Sequence, residues 1–509
     1  MRLLVLICLI LVSGYKSEEI STYTAAVVEV NAIAAGYNIE NVKKVTKQVT
    51  EIIESNELNG VDIVVLPEGI LNEPNTAVLL TNPNNTYCND ANAHFVLRDI
   101  SCAVRNANRY VAINLYAKVN CSEDDQKFCA NEIDNTNLYN MAIIFDRNGD
   151  VVAKYRKYHL FGEGGVQQTE KPDFITFETD FNVTFGVCIC FDLMFSEPAN
   201  DLVQQGVKNF VYPTYWYSEL PYLTSAQYQN SWAYANNVNL LAANQNIPVV
   251  QCSGSGIYSG RSGALKVFVS ETAATKILIA NVPVDLPAND DVLSTFESDE
   301  VGKEMKLDTR SVYYSEENKG MQYISNMNQD NLTEFSVKFL NFHKSNSQAG
   351  TVCNNGICCY YNIEVTDKGE QEGNTSYSYA ISVFSGYRHY KSIKNLLTGQ
   401  EVCSLIACTE MNSKDSCGLR LPVSQIHNRF NFKKLDLRTV LPITHMKTMP
   451  NTLTQELLPL KSTEFEHQIS KVEGDAKYSV TLNLTEPKDD ILTFAIFSRD
   501  YDKDIIGQI

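Results

Sequence analysis

Long apolar runs are almost absent from this chain of 509 residues, and the longest is short, Leu3 to Val12. A membrane span needs roughly twenty consecutive apolar residues, so no span is expected. Cations are also scarce: 42 Lys and Arg stand against 60 Asp and Glu, a net charge of −18. Such a surface repels phosphate backbones and anionic lipid, which excludes nucleic acid and charged membranes as expected partners. Metal-binding patterns are missing too. There is no His-Glu-x-x-His, and neither Cys188-Ile189-Cys190 nor Cys358-Cys359 has a partner pair at zinc-site spacing. No metal and no other cofactor is expected. Repeats and low-complexity tracts are lacking as well, and at this length two domains, or one large domain with an appendage, are expected.

The N-terminus combines Met1-Arg2, the ten-residue apolar core and the small residues Ser13-Gly14 before Lys16-Ser17-Glu18-Glu19. This is the pattern of an export signal, residues 1–14, cut near Gly14. The last residues, Arg499 to Ile509, carry no apolar tail of the kind a lipid anchor requires, so a soluble, secreted protein is expected. Six Asn-x-Ser/Thr sequons, at Asn84, Asn120, Asn182, Asn331, Asn374 and Asn483, suit an extracellular glycoprotein. Of fourteen cysteines Cys8 leaves with the signal, and the remaining thirteen, being odd, require an unpaired thiol or an intermolecular bridge. Cys190 is the expected free thiol. Cys88 with Cys102 and Cys121 with Cys129 flank polar loops and are expected local bridges. Cys353, Cys358, Cys359, Cys403, Cys408 and Cys417 admit fifteen pairings, and none is assigned.

From Ala25 to about Pro287 strand-like and helix-like segments alternate, the pattern of an α/β domain. Val27–Val30 and Val61–Leu66 read as buried strands, and Val42, Val45, Val49, Ile52 and Ile53 recur at helical spacing over about 39–55. A further helix face runs through Phe95, Ile100, Val104 and Ala107, and Val111–Tyr116 is again a strand. Asp146-Arg147-Asn148-Gly149-Asp150 between two apolar runs signals a hairpin. Thr184–Ile189 reads as a buried strand, with Ser196-Glu197-Pro198 opening a helix after it. Asn209–Trp216 is a strand with an aromatic loop at its exit, Pro221–Asn236 a helix, and 240–242, 249–250 and 265–269 short strands. Residues 290–306 are charged and aperiodic, a linker signal, and beyond about 310 short apolar runs and most of the cysteines indicate a β-rich, disulfide-stapled region.

Three residues stand where strands give way to turns: Glu68 after Leu66-Pro67, Lys157 after the hairpin, and Cys190 before Phe191-Asp192. Taken singly, each has an ordinary structural reading as a turn glutamate, a solvated edge lysine and a core cysteine. A papain-like protease would need a histidine beside the thiol, and only His94 and His159 are available in this half. Gly260-Arg261-Ser262-Gly263-Ala264 lacks the final glycine of a nucleophile elbow.

Together, Leu66-Pro67-Glu68, Lys157-Tyr158-His159-Leu160-Phe161-Gly162-Glu163 and Cys190-Phe191-Asp192 resemble the three catalytic motifs of the nitrilase superfamily, in order and in approximate spacing. Tyr212-Pro213-Thr214, Ser231-Trp232-Ala233, Leu240-Leu241-Ala242-Ala243-Asn244 and Ser253-Gly254-Ser255-Gly256-Ile257-Tyr258 are similar to its vanin and biotinidase branch. The resemblance implies an α-β-β-α sandwich over residues 22–287, a linker over 288–309 and a smaller β-rich base domain over 310–509. It further implies a thiol amidohydrolase in which Cys190 is the nucleophile, Glu68 the base and Lys157 the oxyanion stabiliser, together with a backbone N–H near Phe191. Glu163 is implied as a helper beside Lys157, and Tyr215 and Trp216 as pocket walls. Cys188 is expected to face away from Cys190 on the strand and to be buried. Unlike many vanins, the chain shows no lipid-anchor signal. A small linear amide is the expected substrate, pantetheine first and a biotin amide as the alternative, with an inactive binding glycoprotein as the reading from another class.

Overall fold

The computed structural model describes residues 21–32, 38–81, 86–286, 303–304, 327–390, 393, 395–422 and 425–506. The expected export signal at 1–14, the sequon at Asn84 and nearly all of the expected 288–309 linker lie outside the described residues. No helix among those described is long and apolar enough to cross a membrane.

The first half is built on two stacked sheets. One has eight strands and runs Lys303–Glu304, Lys276–Pro283, Thr22–Glu29, Ile63–Val65, Tyr110–Asn120, Thr136–Phe145, Val151–Arg156, with Val78–Leu79 pairing beside Tyr110–Asn120. The other has six, in the order Ala264–Phe268, Ser255–Ser259, Asn239–Asn244, Asn209–Thr214, Thr184–Val187, Thr176–Glu178. Strand alternation assigns the layers. Ala26, Val28, Val64, Leu66, Val111 and Ile113 pack with α1 (Ile39–Ile53) and α2 (Phe95–Ala107), whereas Ala25, Val27, Ile63, Val65 and Ala112 pack with Phe185, Val187 and Val211 of the second sheet. Beyond the second sheet lie α3 (Ala199–Gln204) and α4 (Ser225–Asn236), whose Trp232 meets Phe210 edge-on, ring centroids 5.4 Å apart. The layers are therefore α-β-β-α.

Asn38 caps α1 by accepting the Asn41 N–H, which starts the helix where its apolar period begins. The helix at Pro221–Asn236 starts later than its composition indicates, at Ser225, because the Thr224 and Gln227 side chains form a capping box there. Residues 249–250, read as a strand, belong to the 3₁₀ turn Pro248–Val250, since Pro248 has no N–H to give to a ladder. The hairpin glycine Gly149 has φ +77, and a Cβ on it would lie 2.3 Å from the Ser101 carbonyl oxygen.

The second half is a sandwich of two five-stranded sheets. One runs Ser336–Leu340, Ser378–His389, Leu396–Cys408, Ile491–Ile506, Met446–Thr454, and the other Ser347–Asn354, Ile357–Asp367, Phe430–Pro442, Lys477–Leu484, Phe465–Lys471. Cys88–Cys102 and Cys121–Cys129 are bridged, as are Cys353–Cys358, Cys359–Cys403 and Cys408–Cys417. Cys359–Cys403 joins the two sheets of the sandwich. The two halves share packing: Ala380, Phe384, Val402, Ala495 and Phe497 are buried in the same core as Tyr222, Tyr228 and Cys190. Glu219–Leu220 pairs in parallel with Asn328–Gln329, and Arg499, fully buried, donates 2.9 Å to the Met194 carbonyl at the end of the turn that carries Cys190.

Candidate active site

Parallel strands Ile63–Val65, Thr184–Val187, Asn209–Thr214 and Asn239–Asn244 bring their carboxyl ends to one region, where α/β sheets bind ligands. Glu68 sits there, 4% exposed, with its N–H donating to the Thr214 carbonyl and its own carbonyl accepting Gln245 Nε2 at 2.7 Å. Gly69 follows at φ +66, so the chain turns away directly after the carboxylate. Glu68 Oε1 accepts from Lys157 Nζ at 2.7 Å and Asn140 Nδ2 at 2.8 Å, and Oε2 accepts from the Tyr215 N–H at 2.9 Å.

Lys157 is the one cation of its run to point inward. Arg156 is drawn outward by Asp124, Asp125 and Asp173, whereas the Lys157 side chain is 1% exposed and donates to Glu163 Oε1 at 2.6 Å as well as to Glu68. Burial by itself would lower the ammonium's pKa, but the charges of Glu163 and Glu68 outweigh it and hold Lys157 well above the ordinary lysine range. Glu163 answers in kind: burial would raise its carboxyl, and the Lys157 charge and hydrogen bond bring it below the usual value. The Phe161 N–H donates to Glu163 Oε2. Asn140 completes the cluster. Its amide nitrogen also lies 3.3 Å from Glu163 Oε1, its carbonyl accepts the Lys157 N–H, and its Oδ1 accepts from Asn114 Nδ2 at 2.6 Å.

Cys190 does not lie in the strand. The strand ends at Val187, short of the Ile189 limit that composition indicates, and Cys190 opens a 3₁₀ turn, Cys190–Met194, at φ +43. That conformation is costly for a residue with a side chain and is characteristic of functional turns. Asp192, fully buried, pins it: its carboxylate accepts the Ile189 N–H and the His159 N–H at 2.9 Å each and the Tyr155 hydroxyl at 2.8 Å. The nucleophile turn and the Lys157 loop are thus tied to one carboxyl, which burial pushes up to about 7. Tyr212 donates to the Cys190 carbonyl at 2.6 Å. Burial and then the Glu68 charge push the Cys190 thiol up, while Lys157, the Thr214 hydroxyl and the Tyr215 N–H pull it down.

Among the described residues Cys188, Cys190 and Cys252 are unpaired, and all are buried. Strand alternation does not separate Cys188 from Cys190, because residues two apart share a face. The turn separates their surroundings. Cys188 is raised by burial and by the Asp192 charge, whereas Glu68 and Lys157 act on Cys190.

A cavity of about 50 Å³ opens at Cys190, walled by Phe161, Phe191, Tyr215, Trp216 and Tyr217. Phe191 meets Phe161 edge-on at 4.9 Å, and Trp216 is held by its indole N–H on the Leu223 carbonyl, 2.9 Å. The two histidines are occupied elsewhere. His94 caps α2 by accepting the Val96 N–H, and His159 stacks on Phe195 with centroids 3.7 Å apart, its Nε2 3.0 Å from the Glu197 carbonyl. Burial holds the His159 ring down to about 3, so it stays neutral. Asn182, Asn331 and Asn374 are exposed, and Asn120 and Asn483 are partly so.

The sequence motifs do not single out Asn140 or Asn114. A lone asparagine in an apolar strand, as in Tyr139-Asn140-Met141, is the signal that could have drawn attention, since a buried amide requires partners.

The description of the carbon-nitrogen hydrolases matches residues 24–285, and that of the vanin C-terminal domain matches 325–504. Vanin-like protein 1 of Drosophila melanogaster is 35% identical over 474 residues, covering 89% of this chain and 82% of that protein. The pantetheinase of Mus musculus is 29% identical over 411 residues, 80% of this chain and 70% of its own. The biotinidase of Takifugu rubripes is 27% identical over 415 residues, with coverage of 79% and 75%.

Proposed function

The chain belongs to the carbon-nitrogen hydrolase family, in its vanin branch, and on that premise we propose that it is an exported cysteine amidase acting on a small linear amide of the pantetheine type. The observation that carries this reading is the way Glu68 is held, one oxygen on Lys157 and Asn140 and the other on the Tyr215 N–H that also faces the Cys190 sulfur.

A buried thiol raised by burial rests protonated, so attack requires a base at the moment of reaction. Glu68 takes the Cys190 proton as the Sγ–C bond forms and the carbonyl oxygen becomes an oxyanion. Lys157 has three N–H donors and spends two on Glu68 and Glu163. The third stabilises the oxyanion, with the Phe191 N–H, one of those a turn leaves without an internal partner. Collapse breaks the C–N bond, and Glu68 returns its proton to the departing amine. Water then attacks the thioester, giving its proton to Glu68, and collapse of the second tetrahedral intermediate breaks the C–S bond and releases the acid as Glu68 passes that proton to the departing Cys190 sulfur. With pantetheine the amine is cysteamine and the acid pantothenate.

Relatives named pantetheinase support this substrate, and a relative named biotinidase supports a biotin amide as the second. Parallel assays of pantetheine and biocytin with the purified full chain test the choice. Amine release from pantetheine that vanishes in Cys190→Ala is expected. Turnover of biocytin alone transfers the assignment to biotin amides, and turnover of neither removes both.

A further inference from the structure

The cavity at Cys190 leads to a larger one of about 420 Å³ at the junction of the two halves, and Phe161, Tyr217, Glu219, Arg388 and Tyr390 line both. The narrow part admits little beyond an amide and its adjoining methylenes, whereas the chamber has the volume of a small-molecule site. Arg388 and Tyr390 come from the C-terminal sandwich, so this region supplies walls of a channel that begins at the candidate nucleophile. Arg388 is 7% exposed, donates to Glu219 and to Asp330 (Nε to Oδ1, 3.4 Å), and lies over the Tyr390 ring at 4.7 Å. Asp330 is anchored by its N–H on the Leu220 carbonyl at 2.8 Å, which places both carboxylates beside one guanidinium. The cluster thus sets two carboxyls against one guanidinium, and since burial pushes the Asp330 carboxyl up to about 6, both carry their charge above that pH; Glu334, exposed on the chamber wall, is a further carboxylate.

We propose that this chamber is the acyl subsite, and that the Glu219–Arg388–Asp330 cluster selects acyl chains ending in a hydrogen-bond-donating group that is not anionic. The inference rests on the amidase reading above. The Arg388 charge is already more than balanced by two carboxylates, so an incoming anion meets no net positive charge, while the spare lone pairs on Glu219 and Asp330 accept from a hydroxyl or an ammonium. An anion there meets uncompensated negative charge beside Asp330, whose side chain is 9% exposed. The acyl side belongs in the chamber because the acyl group stays on Cys190 through both half-reactions, whereas the amine must leave before water attacks.

The test is a series of amides sharing one chromogenic amine, with acyl chains of equal length ending in hydroxyl, ammonium, methyl or carboxylate. Hydroxyl and ammonium ends are expected to exceed methyl by about 10-fold in kcat/KM, and carboxylate to fall about 10-fold below it, each the effect of one charge-assisted contact. In Glu219→Gln with Asp330→Asn the carboxylate penalty shrinks by a similar factor, in KM rather than kcat. Equal turnover of hydroxyl and carboxylate ends overturns the proposal, as does discrimination that follows the amine end. A second readout does not need turnover: the hydroxyl-ended amide slows alkylation of Cys190 by iodoacetamide and the carboxylate-ended one does not. Protection without hydrolysis supports the subsite and rejects the amidase reading, and equal protection by both ends overturns the subsite.

Discussion

Replacing Lys157 by methionine keeps the side chain's length and removes its charge from a place where the lysine is 1% exposed. In the native protein the ammonium lies 2.7 Å from Glu68 and 2.6 Å from Glu163, and Asn140 is the remaining donor shared by both carboxylates. Without it two negative charges face each other with one neutral amide between them, and the pair takes up a proton at neutral pH. Removing one partner of a buried ion pair costs about 3–5 kcal/mol. Loss of one oxyanion donor lowers kcat by about 100- to 1000-fold, and protonation of the base lowers it further. We expect kcat/KM to fall by at least about 1000-fold by these two effects together. The pH dependence of stability also changes sign. Native Glu163, with its carboxyl lowered, contributes stability above the unfolded carboxyl pKa that is lost as pH falls. In the variant the pair's proton uptake is raised above the unfolded value, so its contribution is present at low pH and lost as pH rises. Urea unfolding of both proteins at pH 5 and pH 8, with amine release as the activity assay, measures these effects. A Lys157→Met protein with native stability at pH 8 and activity within about ten-fold of native would refute the reasoning.

Asn140→Ala removes a neutral donor to Glu68 and Glu163, and kcat/KM should fall on the order of 10- to 100-fold, mainly in kcat, if a hydrogen bond to a charged group is worth about 1.5–3 kcal/mol; an effect confined to KM would contradict a role in holding the base. His159 is held to about 3 in the fold by burial, so the unfolded chain binds the extra proton below the ordinary histidine value, and stability is lost as pH falls through that window. Between pH 6.5 and pH 5 this amounts to about 2 kcal/mol, and the cost of His159→Gln should be smaller at pH 5 than at pH 7 by that amount in denaturant titrations. Cys359→Ala with Cys403→Ala opens a closure of 44 residues between the sheets, and unfolding should become easier by about 4 kcal/mol on loop-closure grounds; an unchanged transition midpoint would contradict this.

Helix and strand periods were legible because they report local solvation. Val42, Val45, Val49, Ile52 and Ile53 mark α1, and all five are buried. Segments governed by backbone chemistry are less legible. Pro248–Val250 looks like a strand by side chain and is a turn because proline lacks a donor, and Thr184–Ile189 ends early because the Asp192 carboxylate takes the Ile189 N–H from any ladder. The six C-terminal cysteines stay ambiguous in sequence because pairing depends on which strands stack, and Cys359 and Cys403 belong to different sheets.

What the sequence by itself determined is the set of groups and their attachment: a carboxylate, a lysine and a thiol, each just past an apolar segment, and the family they belong to. Local composition and order carry that much. Tertiary structure alone decided that Lys157 rather than Arg156 turns inward, since three aspartates hold Arg156 while two carboxylates balance the desolvated ammonium. It also decided that Asn140 bridges those carboxylates and that Arg388, 198 positions beyond Cys190 in the chain, walls the same channel. Electrostatic balance and packing depend on distances in space, and residues so far apart in sequence acquire those distances only when the sheets stack.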